Sequence, residues 1–158
     1  MMVQPNDDIA RAIGARIRAS DGDVMRLASF HDDPIAFARE RAGARGAKWA
    51  LVDEHGRALG MGGFEPIMPG TINAWLLGTS EWPARKFEVV RWARRAVRWI
   101  LDSKTAFRVQ AHCFADDQGA NRFLAVVGLK HEATLRRYAG GRDVNVWSAV
   151  NEDDPVVH

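Results

Sequence analysis

Two apolar segments with strand character, TINAWLLG at 71–78 and AFRVQAHCF at 106–114, are joined by a stretch with helical periodicity. Within residues 84–101, Phe87, Val90, Ala93, Val97 and Leu101 fall on one face, and Val89, Trp92, Ala96 and Trp99 fall roughly opposite. A connection of this length and period cannot close a hairpin. It must cross one face of a sheet and return the chain parallel to the strand it left. The other strand-like segments are joined more tightly. KWALVDEHGRALGMGGFEP alternates and turns at Glu54-His55-Gly56, and KHEATLRRY with DVNVWSAV reads as a final hairpin. The predicted fold is therefore mixed α/β (α+β), a mostly antiparallel sheet with one parallel crossover and flanking helices.

Three helices are predicted ahead of the first strand. DDIARAIGARIRAS has an Asn6/Asp7 cap and apolar residues at Ile9, Ile13 and Ile17. DGDVMRLASF starts near Asp21 or Asp23. DDPIAFARERAGARG has Asp33 as cap, Pro34 in the first turn and Gly43 near its end. A later helix, DDQGANRFLAVVG, closes at Gly128. The glycines of GMGG, Gly60–Gly63, lie inside a strand pattern, where a bulge is a better reading than a phosphate loop. The 158 residues suit one domain: a helical region over 1–46, a sheet core over 47–150 and an acidic tail over 151–158.

The formal net charge is only +2, which argues against nucleic acid as a partner. The distribution is uneven: Arg85, Lys86, Arg91, Arg94, Arg95 and Arg98 crowd one segment against a single Glu88. Cys113 is the only cysteine, so no disulfide can form within the chain, as suits a reducing, cytoplasmic setting. No apolar run approaches the ~20 residues that span a bilayer. The five histidines show no ligand spacing, and no structural metal is expected.

The last third, DDQGANRFLAVVGLKHEATLRRYAGGRDVNVWSAV, resembles the GNAT superfamily of acyl-CoA-dependent N-acyltransferases. The matching positions are Asp117, Ala120, Gly128-Leu129, Glu132, Leu135-Arg136, Asp143 and Trp147-Ser148, and the resemblance extends over about 47–150. The strand WLLGT followed by a basic helix also resembles acyltransferase-like proteins of tailed phages. The resemblance implies a bulged fourth strand, here 71–78, splayed from the fifth, with the acyl-CoA arm in the gap and its diphosphate at the next helix start. It places Leu76, Leu77 and Gly78 along the arm, and Ala84, Arg85 and Lys86 at the diphosphate, where helix amides and the dipole favour an anion.

The departures are specific. The family's glycine-rich loop positions hold Pro83, Lys86 and Glu88; no glycine lets the backbone approach a phosphate, and Pro83 lacks an N–H. Arg85 and Lys86 offer charge-assisted bonds instead. The tyrosine that protonates the leaving thiolate in many family members is Leu124 here, and the asparagine opening that helix is Asp117. Candidates for the amine's base are Glu65, at the end of a strand, and His112, on the fifth. Tyr138, the only tyrosine, is the candidate acid. Each has a plainer role: Glu65 as a surface charge, His112 as a hydrogen-bonded sheet residue. Cys113 alternates onto the apolar face and reads as a small buried residue.

Two function classes follow. One is an enzyme moving an acetyl or other acyl group from acetyl-CoA to an amine on a small molecule or protein. The other is a GNAT-fold binding or phage structural module without catalysis. With one helix face against the sheet, Trp92 and Trp99 are expected on the opposite side, rimmed by arginines, as a homodimer interface.

Overall fold

The computed structural model describes residues 1–151; the acidic tail lies outside them, apart from Asn151. A short edge strand β1 (Met2–Val3) precedes helices α1 (Asp7–Gly14), α2 (Ala19–Ala28) and α3 (Pro34–Gly43). Strands β2 (Ala47–Val52), β3 (Ala58–Met68) and β4 (Thr71–Gly78) follow. A 3-10 turn over Trp82–Arg85 leads into α4 (Lys86–Asp102). The chain finishes with β5 (Arg108–Phe114), α5 (Gln118–Val127), β6 (Lys130–Ala139) and β7 (Arg142–Val150). The seven strands run in the order β1-β2-β3-β4-β5-β7-β6. Only β4 and β5 are parallel, joined by the crossover that the α4 periodicity demands. The mixed, mostly antiparallel fold class is as expected. Among the described residues no helix is long and apolar enough to cross a membrane.

Local chemistry sets most element ends. Asn6 accepts the Ile9 N–H at 2.9 Å, Asp33 accepts those of Ile35 and Ala36 at 2.9 and 3.2 Å, and Asp117 accepts that of Ala120 at 2.9 Å. Gly128 ends α5 in the left-handed region at φ 108°. α2 begins earlier than its aspartates suggest. Arg18 rather than Asp21 stands at its N-cap, because Asp21 is drawn inward to a tertiary partner described below.

Helices α4 and α5 cover one face of the sheet, over Phe64, Ile72, Val109 and Ala111. Helices α1, α2 and α3 cover the other, over Ala50, Met61 and Leu77. The rotation of α4 differs from both stripes read in the sequence. Its buried residues are Val89, Ala93, Val97 and Ile100, a line between them, while Phe87 is 73% exposed. Trp92 turns inward, its ring 4.9 Å from that of Trp49 and 5.9 Å from that of Phe64. The reason lies in β3. Gly60–Gly63 pair in unbroken register with both β2 and β4, so the expected bulge is not within GMGG; the irregularities of β3 fall just before it, at Leu59 opposite Leu51/Val52, and after it at Pro66/Met68. A Cβ on Gly62 would lie 2.5 Å from the Trp49 ring, and one on Gly63 2.9 Å from the Trp75 nitrogen. The glycines let indoles lie flat on the sheet, and the space they open draws Trp92 into the protomer's own core. An interface built on both Trp92 and Trp99 is therefore not available, since only Trp99 is exposed.

Trp92→Ala should accordingly cost about 3–5 kcal/mol, as large-to-small aromatic changes in cores do. Trp99→Ala should stay within about 0.5 kcal/mol. Denaturant unfolding of the two variants checks the assigned rotation of α4.

Candidate functional site

The β4–β5 ladder is short. It pairs Thr71 with Arg108, Ile72 with Val109 and Asn73 with Gln110, and stops. Beyond that point β4 stays with β3 as far as Gly78, and β5 stays with β7 as far as Phe114. The two central strands therefore part. The segment leading into α2 takes up the end of β4. The Arg18 N–H donates to the Gly78 carbonyl at 2.9 Å, Ile17 forms an antiparallel bridge with Thr79, and the Gly78 N–H donates to the Asp21 carboxylate at 2.7 Å. Thr79 donates to Leu59 of β3, so successive residues of β4 alternate between β3 and the gap. Gly78 faces the gap and is capped from α2. Leu76 faces it too, and the β5 ladder ends before reaching it.

A cavity of about 260 Å³ occupies the gap. Leu76, Ala111, Cys113, Ala120 and Leu124 line it toward α4 and α5. Asn73, Trp75, His112, Phe37 and Arg41 line it toward the N-terminal helices. The Arg41 guanidinium stacks over the Trp75 ring at 4.7 Å.

Charge in the cavity is almost wholly paired. Arg18 grips Asp21 through Nε and Nη2, both at 2.8 Å. Burial pushes the Asp21 carboxyl above its ordinary range, while Arg18 and the Gly78 N–H pull against it; Asp117 adds a like charge nearby. His112 is exposed at the cavity mouth, and partial desolvation by its walls first, with the Arg108 charge second, shifts it below the ordinary histidine value, which favours the neutral imidazole. Burial, with Asp117 as a lesser cause, pushes the Cys113 thiol up to about 12.

Of the sequence candidates, Leu76, Leu77, His112 and Asp117 line the cavity. Gly78 borders it, its N–H taken by Asp21. Glu65 is outside the lining and receives a 2.7 Å hydrogen bond from Arg41. Tyr138 sits on β6 at the opposite edge strand, 66% exposed. Ala84 ends up in the 3-10 turn. Arg85 turns to Glu54 at 2.7 Å and to Glu88 at 3.8 Å, and Lys86 lies over the Phe87 ring at 5.3 Å.

The 3-10 turn that leads into α4 is a poor seat for a diphosphate. The amides of residues 79, 81, 82, 84 and 86 already donate, to Leu59, the Thr79 hydroxyl, Thr79, Glu81 and Pro83 respectively. Pro83 has no N–H to offer. The volume is also taken. Trp82 is buried directly on Gly78, where an added Cβ would meet the indole at 2.1 Å, and its ring packs edge-on against Phe123 at 5.5 Å. No acceptor meets the Trp82 indole N–H, so shape rather than hydrogen bonding holds the ring there. In the turn ahead of α4, then, most backbone amides are taken and the space beside Gly78 is filled by Trp82, so a diphosphate lacks the bare backbone the family's loop provides there.

Residues the sequence reading missed come mainly from the first third: Arg18, Asp21 and Arg41, together with Asn73 and Trp75 on β4. Asp21 carried the one available signal, an acidic residue inside a helix-start pattern that serves as a tertiary partner rather than a cap.

No family model and no curated protein sequence matches the chain. Solved structures do. A GNAT-family acetyltransferase from Bacillus anthracis superposes with a TM-score of 0.69 over 96% of this chain and 95% of its own, at 14% identity. A ribosomal-protein-S5-alanine acetyltransferase from Vibrio fischeri gives 0.70 over 98% and 94%, at 14% identity. A variant spermidine N-acetyltransferase from Vibrio cholerae gives 0.69 over 96% and 95%, at 12% identity. At these identities the likeness establishes the fold, and the chain has the GNAT acetyltransferase fold.

With a protonated thiol beneath the sheet, Cys113 should resist alkylation at pH 8 in the native protein and react once the chain is unfolded. Mass spectrometry after iodoacetamide treatment, with and without denaturant, reads this directly.

Proposed function

We propose that the chain moves an acyl group from a thioester, carried on a pantetheine-type arm lying in the β4–β5 gap, to an amine entering from the side of the N-terminal helices. One observation carries this reading. The ladder ends at Asn73 and Gln110, so Leu76, in register with Gly62 of β3, has no β5 partner on its gap side, where a cavity reaches both faces of the sheet. A polar backbone edge of this kind suits an amide-bearing arm that completes the missing pairing.

The chain's own groups account for the chemistry. Leu76 offers an N–H and a carbonyl to the arm. His112, held neutral, accepts the proton that the ammonium loses. The freed nitrogen lone pair forms a C–N bond at the thioester carbon, the C–S bond breaks, and the sulfur leaves as thiolate. With Leu124 where a hydroxyl would stand, water relays to the thiolate the second proton, which the nitrogen gives up once the C–N bond has formed. Positioning in the narrow gap supplies much of the rate. Acetyl-CoA is the natural donor to try, with recognition resting on its arm rather than on its diphosphate.

A second reading is favoured by Trp82: a GNAT fold whose nucleotide end has been filled by its own side chains and which binds without transferring. Calorimetry with acetyl-CoA and with S-acetyl-pantetheine, which lacks the nucleotide, separates the two. Under the first reading both bind within about tenfold of each other and label an amine panel. Absence of binding and transfer at millimolar donor leaves the second.

His112 sets the pH dependence. Its value is depressed, so the active neutral form dominates above a point below 6.5, and kcat should rise with pH through that point and level off. His112→Gln should lower kcat by about 10²-fold or more and remove that limb of the profile. An unchanged profile would take the base role from His112.

A further inference from the structure

We infer that the outer face of α4 binds single-stranded nucleic acid. Arg91, Arg94, Arg95 and Arg98 stand at i, i+3, i+4 and i+7, one stripe along about 10 Å of helix. None of the four meets a carboxylate among the described residues. Arg18, Arg41, Arg57 and Arg142 do meet them; the remaining described arginines without one, Arg11, Arg45, Arg122, Arg136 and Arg137, are spread over other segments and do not form a stripe of four on one helix face. The chain's small net charge thus conceals a concentrated, uncompensated one. The four guanidiniums wall a shallow groove of about 500 Å³, floored by Val90 and by Val126 of α5. Each presents the planar fork that takes a phosphate oxygen pair.

Two exposed rings beside the stripe favour nucleic acid over other polyanions: Phe87 lines the groove one turn before Arg91, and Trp99 follows Arg95 by one turn on the adjoining flank of the helix. Phe87 is 73% exposed and Trp99 66% exposed, about 18 Å apart along the helix. A cationic track flanked by exposed aromatic faces is the arrangement on which unpaired bases stack without sequence preference. An acidic peptide would satisfy the arginines and leave both rings unused. A second copy of the chain is a poor occupant, because a two-fold contact across the stripe would set its cations against their own copies. The inference stands apart from the acyl-transfer reading, since it uses no residue of the gap.

The test is fluorescence anisotropy of a labelled oligothymidine of about 20 nucleotides with the full chain, titrated with salt from about 50 mM upward. Binding should weaken with salt at a log–log slope of about −2 to −3, the value for three or four phosphates on a single strand. Arg91→Gln with Arg95→Gln should cost at least about tenfold and flatten that slope. Phe87→Ala with Trp99→Ala should cost at least about fivefold and leave the slope unchanged. All four side chains are exposed, so thermal unfolding should report an intact fold in both variants. Polyglutamate of equal charge should compete poorly. No binding at about 50 mM salt, an affinity indifferent to either pair, or full displacement by polyglutamate overturns the inference, the last in favour of an acidic protein partner.

Discussion

Everything at the centre of this fold depends on how β4 ends. A parallel pair left to itself would zip to the ends of both strands, because each further residue adds ladder hydrogen bonds. Here the ladder stops at Asn73 and Gln110, and the Ile17–Asp21 segment takes the last residues of β4. The carboxylate of Asp21 supplies the acceptor that Gly78 would otherwise lack, and the Arg18 backbone supplies the donor for its carbonyl. A buried carboxylate is expensive unless its oxygens are satisfied, and Arg18 satisfies the remaining ones. The gap is thus a built feature of the protein, stabilised by a contact that joins the N-terminal helices to the middle of the sheet.

The second constraint is an exchange between glycine and tryptophan. Gly62, Gly63 and Gly78 each lie against an indole, from Trp49, Trp75 and Trp82 respectively, closer than any Cβ would allow. Glycine removes the side chain that would hold a ring away from the sheet, and an indole then contributes a large buried area. The same exchange shapes both faces and fixes the rotation of α4 through Trp92. At the α4 start it works against a nucleotide: the glycine is in the strand, and the space it leaves is filled from within by Trp82. Where a diphosphate-binding loop needs bare amides, this chain has a 3-10 turn in which the amides of Trp82 and Ala84 are already bonded and Pro83 has none.

Helix α4 shows why a basic segment needs its neighbours before it can be interpreted. Arg85 and Lys86, the cations nearest the gap, are turned to Glu54 and to the Phe87 ring. The cations further along, from Arg91 to Arg98, have no such partners among the described residues and face outward over a groove. The charge in this segment is available on the helix's outer side rather than at its start.

The sequence by itself determined the order of helices and strands from α1 to β7, the crossover and the fold class, but not the two-residue edge strand β1, which exists only by pairing with β2. Helical period over 84–101, alternation in the strands, and the caps at Asn6, Asp33, Asp117 and Gly128 are local signals that survive in the folded chain. It also placed Leu76, Leu77, His112 and Asp117, which line the cavity. It could not decide which face of α4 is buried, because two apolar stripes sharing one helix are told apart only by the surface they meet. Nor could it show that GMGG is a regular strand, since the cause, indoles from distant segments, is not local. Tertiary structure alone decided the cavity's other wall. Arg18, Asp21 and Arg41 lie more than thirty residues before β4's central positions, and they reach the gap only because α1, α2 and α3 pack against the sheet face that β4 shares.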